Sequence, residues 1–239
     1  MDEQITHEVN LSDGTRVVFG HRLSAADLFK IDADPAAQNP TQYADLLLRA
    51  HIVEFGTLPQ PVPVPVLLGL DSIDREDLVE GCNVYQTLSL GDRESEFLPD
   101  FKVKLAFGFK VNDVVYNRVT FGKRITGLDE VAADKEKLEP GIKRLCFLIG
   151  RQISEVSSDD GTATLTSPIP LSYFDSLDAA DVASLRGGAE MWRQSFRIRR
   201  EKVSRNGVGP GGDNPGAKVQ VDRGASASAA AGAAANISE

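Results

Sequence analysis

The chain contains the same nine-residue pattern twice. Phe19-Gly20-His21-Arg22-Leu23-Ser24-Ala25-Ala26-Asp27 returns as Phe121-Gly122-Lys123-Arg124-Ile125-Thr126-Gly127-Leu128-Asp129, 102 positions later. Asp71-Ser72-Ile73-Asp74-Arg75-Glu76-Asp77-Leu78 returns as Asp175-Ser176-Leu177-Asp178-Ala179-Ala180-Asp181-Val182, 104 positions later, and between these Pro63-Val64-Pro65-Val66 is echoed by Pro168-Ile169-Pro170-Leu171. Three echoes in one order predict two tandem copies of one small module, with a period far too long for a solenoid. What repeats is turn, strand and cap chemistry. No catalytic group recurs, which points away from an enzyme.

Each copy reads as α+β. In the first, Val9 and Leu11 alternate with polar residues, Asp13-Gly14 signals a tight turn, and Arg16-Val17-Val18-Phe19 forms the return strand. Ser24 with Asp27 caps a short helix to about Ile31. Asp34-Pro35 and Asn39-Pro40 break the chain. From Thr41 to Phe55, Tyr43, Leu46, Leu47, Ala50 and Val53 have helical spacing, and Gly56 ends the segment. Four prolines from Pro59 to Pro65 make a stiff connector, and a last helix runs from near Asp74 to Leu88.

The second copy repeats the plan. Phe101-Lys102-Val103-Lys104-Leu105 alternates, Asn112-Asp113 turns the chain, and Val114 to Phe121 returns it. Thr126 with Asp129 caps a short helix. Ile142, Leu145, Cys146, Ile149, Ile153 and Val156 predict an amphipathic helix, and Asp178 opens a closing helix bearing Met191, Trp192 and Phe196. The expected organisation is a hairpin plus three-helix module at 1–90, a linker at 91–100, a second such module at 101–202, and a disordered Gly/Ala/Ser-rich tail at 203–239 that offers little to bury.

A net charge of −9 and a pI near 4.9 argue against a duplex-binding protein, which needs a basic face for phosphates; nucleic acid is not an expected partner. The start Met1-Asp2-Glu3-Gln4-Ile5 has no secretion-signal character, and no apolar run approaches the ~20 residues of a membrane span. Cys82 and Cys146 stand at unmatched places and read as reduced thiols. A cytoplasmic protein with no membrane partner is the expectation.

Several motifs invite a chemical reading and fail it. Gly207-Val208-Gly209-Pro210-Gly211-Gly212 matches a dinucleotide-binding pattern in letters, but it contains proline and no strand or helix is predicted around it. His7, His21 and His51 have no metal-ligand spacing. Asp32-Ala33-Asp34 lacks the glycine and distal glutamate of a calcium loop, and Asp71, Asp74 and Asp77 crowd a helix start where capping places acids anyway. Ser24 and Ser72 lack a nucleophile elbow. Asn236-Ile237-Ser238 is a sequon with no export signal. The basic run Arg193, Arg197, Arg199, Arg200, Lys202 and Arg205 closes the last helix, where positive charge suits the dipole; an acidic partner is the second reading, and nucleic acid a lesser one, since Trp192 and Phe196 interleave with the arginines. No catalytic, cofactor-binding or metal-binding residue is therefore assigned, and no cofactor is expected.

Read together, Leu11-Ser12-Asp13-Gly14-Thr15, Arg22-Leu23-Ser24-Ala25-Ala26-Asp27-Leu28, Leu46-Leu47-Leu48-Arg49 and the helix introduced by Leu70-Asp71-Ser72-Ile73-Asp74 resemble the small tail assembly chaperones of contractile-tailed phages of the Mu and P2 type. A fainter likeness runs to the baseplate hub-assembly proteins of T4-like phages. The second copy fits more loosely, and family members usually hold one module where this chain has two and a tail. The resemblance implies a non-catalytic assembly factor in the host cytoplasm. Its partner would be a tape-measure or another tail or baseplate protein, whose amphipathic helices fit apolar grooves. The alternative it implies is a structural baseplate or tail-adaptor component of the particle, and a homo-oligomer is compatible with either. The motifs that carry the likeness are fold residues, so no binding residue is transferred.

Overall fold

The carbonyl of His51 decides where the first long helix stops. It accepts from the backbone N–H of both Gly20 (3.1 Å) and His21 (3.3 Å), which draws the chain out of the helix and lays it beside a strand. In the computed structural model, which describes residues 5–206, the first half opens with β1 (His7–Asn10) and β2 (Arg16–Phe19), followed by α1 (Ala25–Asp32) and α2 (Pro40–His51). It continues with β3 (Ile52–Phe55), α3 (Val64–Leu68) and α4 (Ser72–Leu90). β1, β2 and β3 form an antiparallel sheet in that order.

The second half follows a related order, with two strands added to it, the first and the last of its five. β4 (Glu96–Leu98) precedes β5 (Lys102–Val111) and β6 (Val114–Phe121). Then come α5 (Gly127–Lys135), α6 (Ile142–Gln152), β7 (Ile153–Ser158), β8 (Thr164–Thr166), a 3-10 turn at Leu171–Tyr173 and α7 (Ala179–Asn206). Here too one carbonyl, that of Gln152, accepts from Gly122 N (3.1 Å) and Lys123 N (3.0 Å). The five strands are antiparallel in the order β4-β5-β6-β7-β8.

The α+β class is as the sequence indicates, but the expected hairpin plus three helices is corrected in both halves. Thr41–Phe55 is not one helix: α2 ends at His51 and β3 follows. The amphipathic run from Ile142 to Val156 likewise divides at Gln152, and Ile153 and Val156 belong to β7. β-Branched side chains such as Ile52, Val53, Ile153 and Val156 favour a pleated surface, and an unpaired strand edge lay ready to receive them. The segment expected as a bare linker, 91–100, carries β4, which pairs with β5. The predicted turns and caps are present. Asn112 and Asp113 both have positive φ (49° and 62°), the two-residue loop that matches strand twist. Ser24 and Thr126 each form a capping box with the aspartate three residues on. The tail expected at 203–239 enters the described residues only through the end of α7; the rest, with the Gly207–Gly212 motif and the sequon at 236–238, lies outside them.

Among the described residues, 5–200 form one compact unit. Within it, the hydrophobic cores do not follow the boundary between halves. One core holds Val17, Phe19, Leu48, Ile52, Leu67, Leu78 and Tyr85 of the first half. The other is built on Val103, Val119, Phe121, Ile149, Phe174 and Leu185 of the second half, yet Leu23, Leu28, Ile31 and Leu46 of the first half are buried in it. α1 also caps α6 directly. Gly141 at the start of α6 has no side chain to offer, and Asp32 of α1 accepts from Ile142 N (2.8 Å).

Candidate functional site: the crevice between the halves

The halves meet along a short backbone seam. Ala25 N donates to Leu177 O (2.7 Å) and Ala179 N donates to Leu23 O (2.9 Å), so that Ser24 and Asp178 face each other as an antiparallel bridge. Both residues cap helices: Ser24 caps α1, and Asp178 receives Ala180 N on its Oδ1 (2.9 Å) ahead of α7. Beside the seam Arg22 grips Asp178 with two nitrogens, Nε (3.0 Å) and Nη2 (2.8 Å) reaching Oδ2. Its Nη1 donates to the Ser89 carbonyl at the end of α4. The same guanidinium lies 3.9 Å from the centre of the Phe107 ring, and Arg93 approaches that ring at 5.0 Å.

Two cavities open on either side of Arg22 and share Ser89 and Leu90 in their walls. One, of about 600 Å³, is bounded by Tyr85, Arg93 and Phe107. The other, of about 460 Å³, has a mostly apolar wall of Leu23, Leu28, Leu47, Ala179 and Ala183. Arg22, His51, Gln86 and Asp178 belong to the polar part of its lining.

Of the acids singled out in the sequence, Asp77 is exposed on α4 and the others hold pieces of backbone. Asp71 accepts from Asp74 N (2.9 Å) as the cap of α4. Asp74 in turn holds the β1–β2 turn, accepting from Ser12 N (2.7 Å) and Ser12 Oγ (2.9 Å). Asp181 does the same in the second half, where Ala106, Phe107 and Gly108 each donate a backbone N–H to its carboxylate at 2.8–2.9 Å. Burial pushes the Asp181 carboxyl upward against the pull of those amides. The β5 bulge that wraps this carboxylate, with Gly108 at φ 73°, was not visible in the sequence; its trace was a glycine inside an alternating strand. Asp32 caps α6, and Asp34 caps the 3-10 turn at Pro35–Gln38. Sequence reasoning also passed over Asp45, buried in α2 and ion-paired with Arg75 of α4. Ser72 is simply the first residue of α4.

His51 lies beside the crevice and is engaged on both ring nitrogens. Nδ1 is 2.8 Å from the His21 carbonyl and Nε2 3.1 Å from Gln86 Nε2. The partners place its proton on Nδ1, with Nε2 accepting, and burial pushes its pKa down, which favours the neutral ring. His21 faces Asp27 at 3.3 Å, and His7 lies in β1. The free thiols are buried, which raises Cys82 to about 11 and Cys146 to about 12. Trp192 stacks edge-on with Phe101 (4.9 Å) and Phe196 (4.5 Å) and donates Nε1–H to the Lys123 carbonyl (2.8 Å). The aromatics among the arginines of α7 therefore pack on the second half. Arg193 reaches Glu190 (3.6 Å); the side chains of Arg197, Arg199, Arg200, Lys202 and Arg205 lie outside the described residues.

Among the described residues no helix is long and apolar enough to cross a membrane. No protein-family model, curated protein or solved structure matches the chain.

Proposed function

We propose that the chain is a non-catalytic assembly factor of the phage tail, built from two copies of one module. On this reading it works in the host cytoplasm and holds an amphipathic helix of a long tape-measure-like protein. The observation that carries the reading is the crevice between the halves. Its apolar wall lies between α1, α2, α4 and α7, where an incoming helix can present anchors at i, i+3, i+4 and i+7. The resemblance in the capping and hairpin residues supplies the phage context, and the acidic balance would keep such a complex dispersed.

The test is co-expression with the tape-measure-like protein and recovery of the pair. Ala183 lines the crevice and is exposed, so Ala183→Trp fills the space without entering the core. Wild type is expected to co-purify with the helical protein, and the variant to lose roughly tenfold or more of that binding. Full binding by the variant would move the site elsewhere; no co-purification by wild type would end the chaperone reading. The alternative, a structural baseplate or tail-adaptor component, is favoured by the unpaired surfaces described next, and predicts the chain inside purified particles at a stoichiometry set by their symmetry.

A further inference from the structure

The seam between the halves uses only half of the docking surface that the chain carries. Segment 22–25 of the first half lies against segment 177–179 of the second. Each has a counterpart in the other half. Ser24 corresponds to Thr126, since both open capping boxes completed by an aspartate three residues on. In space Asp178 corresponds to Asp71, three positions off the sequence echo that set Asp71 against Asp175: each caps the last helix of its half, and each is followed three residues later by an acid that reaches back into the first hairpin of its half. The helix glycines Gly81 and Gly188 preserve this correspondence, for each faces the phenylalanine that ends the second hairpin strand, Phe19 or Phe121. The spacing from Asp71 to Asp178 and from Gly81 to Gly188 is the same, 107 positions.

We propose that copies of this chain associate head to tail, segment 124–128 of one molecule docking on segment 70–73 of the next in the manner of the internal seam. The inference rests on the two halves being copies and is independent of the tail-assembly role. Three observations support it. Both leftover segments are open: Arg124, Thr126, Gly127, Asp71 and Ser72 are exposed. They also carry the two most exposed large apolar side chains among the described residues, Leu128 (80%) and Ile73 (67%). Their charges match, for Arg124 stands where Arg22 stands and Asp71 where Asp178 stands. Asp71 spends Oδ1 on its helix cap and keeps Oδ2, the same division by which Asp178 caps α7 with one oxygen and binds Arg22 with the other. Arg124 makes no ion pair among the described residues and rests over the Phe196 ring at 3.8 Å.

The internal seam joins unlike surfaces, so its repetition between molecules is heterologous and builds rings or filaments instead of a two-fold dimer. The new contact is weaker than the internal one. The counterpart of buried Leu28 is Glu130, held by Arg144 at 2.7 Å, so less apolar surface is covered.

Ile125 and Ser72 are the counterparts of Leu23 and Ala179, which lie opposite each other in the seam. Cysteines at antiparallel partners are within disulfide reach. Full-length Ile125→Cys and Ser72→Cys proteins, mixed under mild oxidation, should give a covalent dimer roughly tenfold or more above either protein alone. The double variant should give a ladder. Light scattering of the full chain should show mass rising with concentration. Arg124→Glu or Asp71→Arg should weaken that association roughly tenfold or more, and an equimolar mixture of the two should regain it. Equal cross-linking in the single variants, a monomer at every concentration, or association unchanged by both charge reversals would each overturn the proposal. All of these use the purified chain alone, so their failure leaves the helix-binding reading untouched.

Discussion

Aspartates in this chain hold pieces of backbone in place. Asp27 shows how a short motif becomes stability. Burial disfavours its charged form, but the Ser24 hydroxyl (2.8 Å) and amide (3.1 Å) outweigh that cost, with His21 and Lys30 adding to them, and its pKa falls from the ordinary 3.8 to about 2. A depressed carboxyl contributes stability that is present above its unfolded value and is lost as pH falls through its folded value. Asp27→Asn should therefore be less stable than wild type at neutral pH by about 1 kcal/mol after solvent screening. Urea melts between about pH 4 and pH 2 should show that gap closing; a gap unchanged at the acid end would mean that Asp27 acts through packing alone. The cap motif was legible because its partners are three residues apart. The four-point hold on Asp181 was not, because Ser95 and the β5 amides lie more than seventy positions away.

Strands β3 and β7 mark the limit of reading elements locally. Their residues continue the apolar spacing of α2 and α6, and only the carbonyls of His51 and Gln152, satisfied by the strand end next door, convert helix to sheet. The glycines of the long helices are the converse case, with a purpose visible only in space. A Cβ on Gly188 would lie 2.6 Å from both Phe121 Cε2 and Val103 Cγ2. Alanine at a helix interior normally gains roughly 0.5–1 kcal/mol over glycine, whereas overpacking a filled core costs about 1–3 kcal/mol. Gly188→Ala should therefore lower the urea midpoint, and Gly81→Ala, which meets Val9 and Phe19, should do the same. A rise in either would show that the helix can lift from its sheet.

Across the whole molecule, the halves are joined by more than the chain that connects them. Leu23, Leu28, Ile31 and Leu46 complete the second half's core, each worth about 2 kcal/mol of burial, and Arg22–Asp178 closes the seam. Unfolding of this unit should be one calorimetric transition. Limited proteolysis should cut at 91–95, ahead of β4, and the two fragments should still elute together; separate elution, or two transitions, would show that the halves fold independently.

The doubled pattern, the turns, the caps and the α+β class follow from residues close together in the sequence, because capping, tight turns and period-two alternation are settled over a few positions. What only the tertiary structure decided are the third strand of each sheet, the bulge around Asp181, and the burial of the first half's helices in the second half's core. Those depend on which edges, amides and apolar faces lie within reach once the chain is folded. The order of residues along the chain does not encode that reach in any local window.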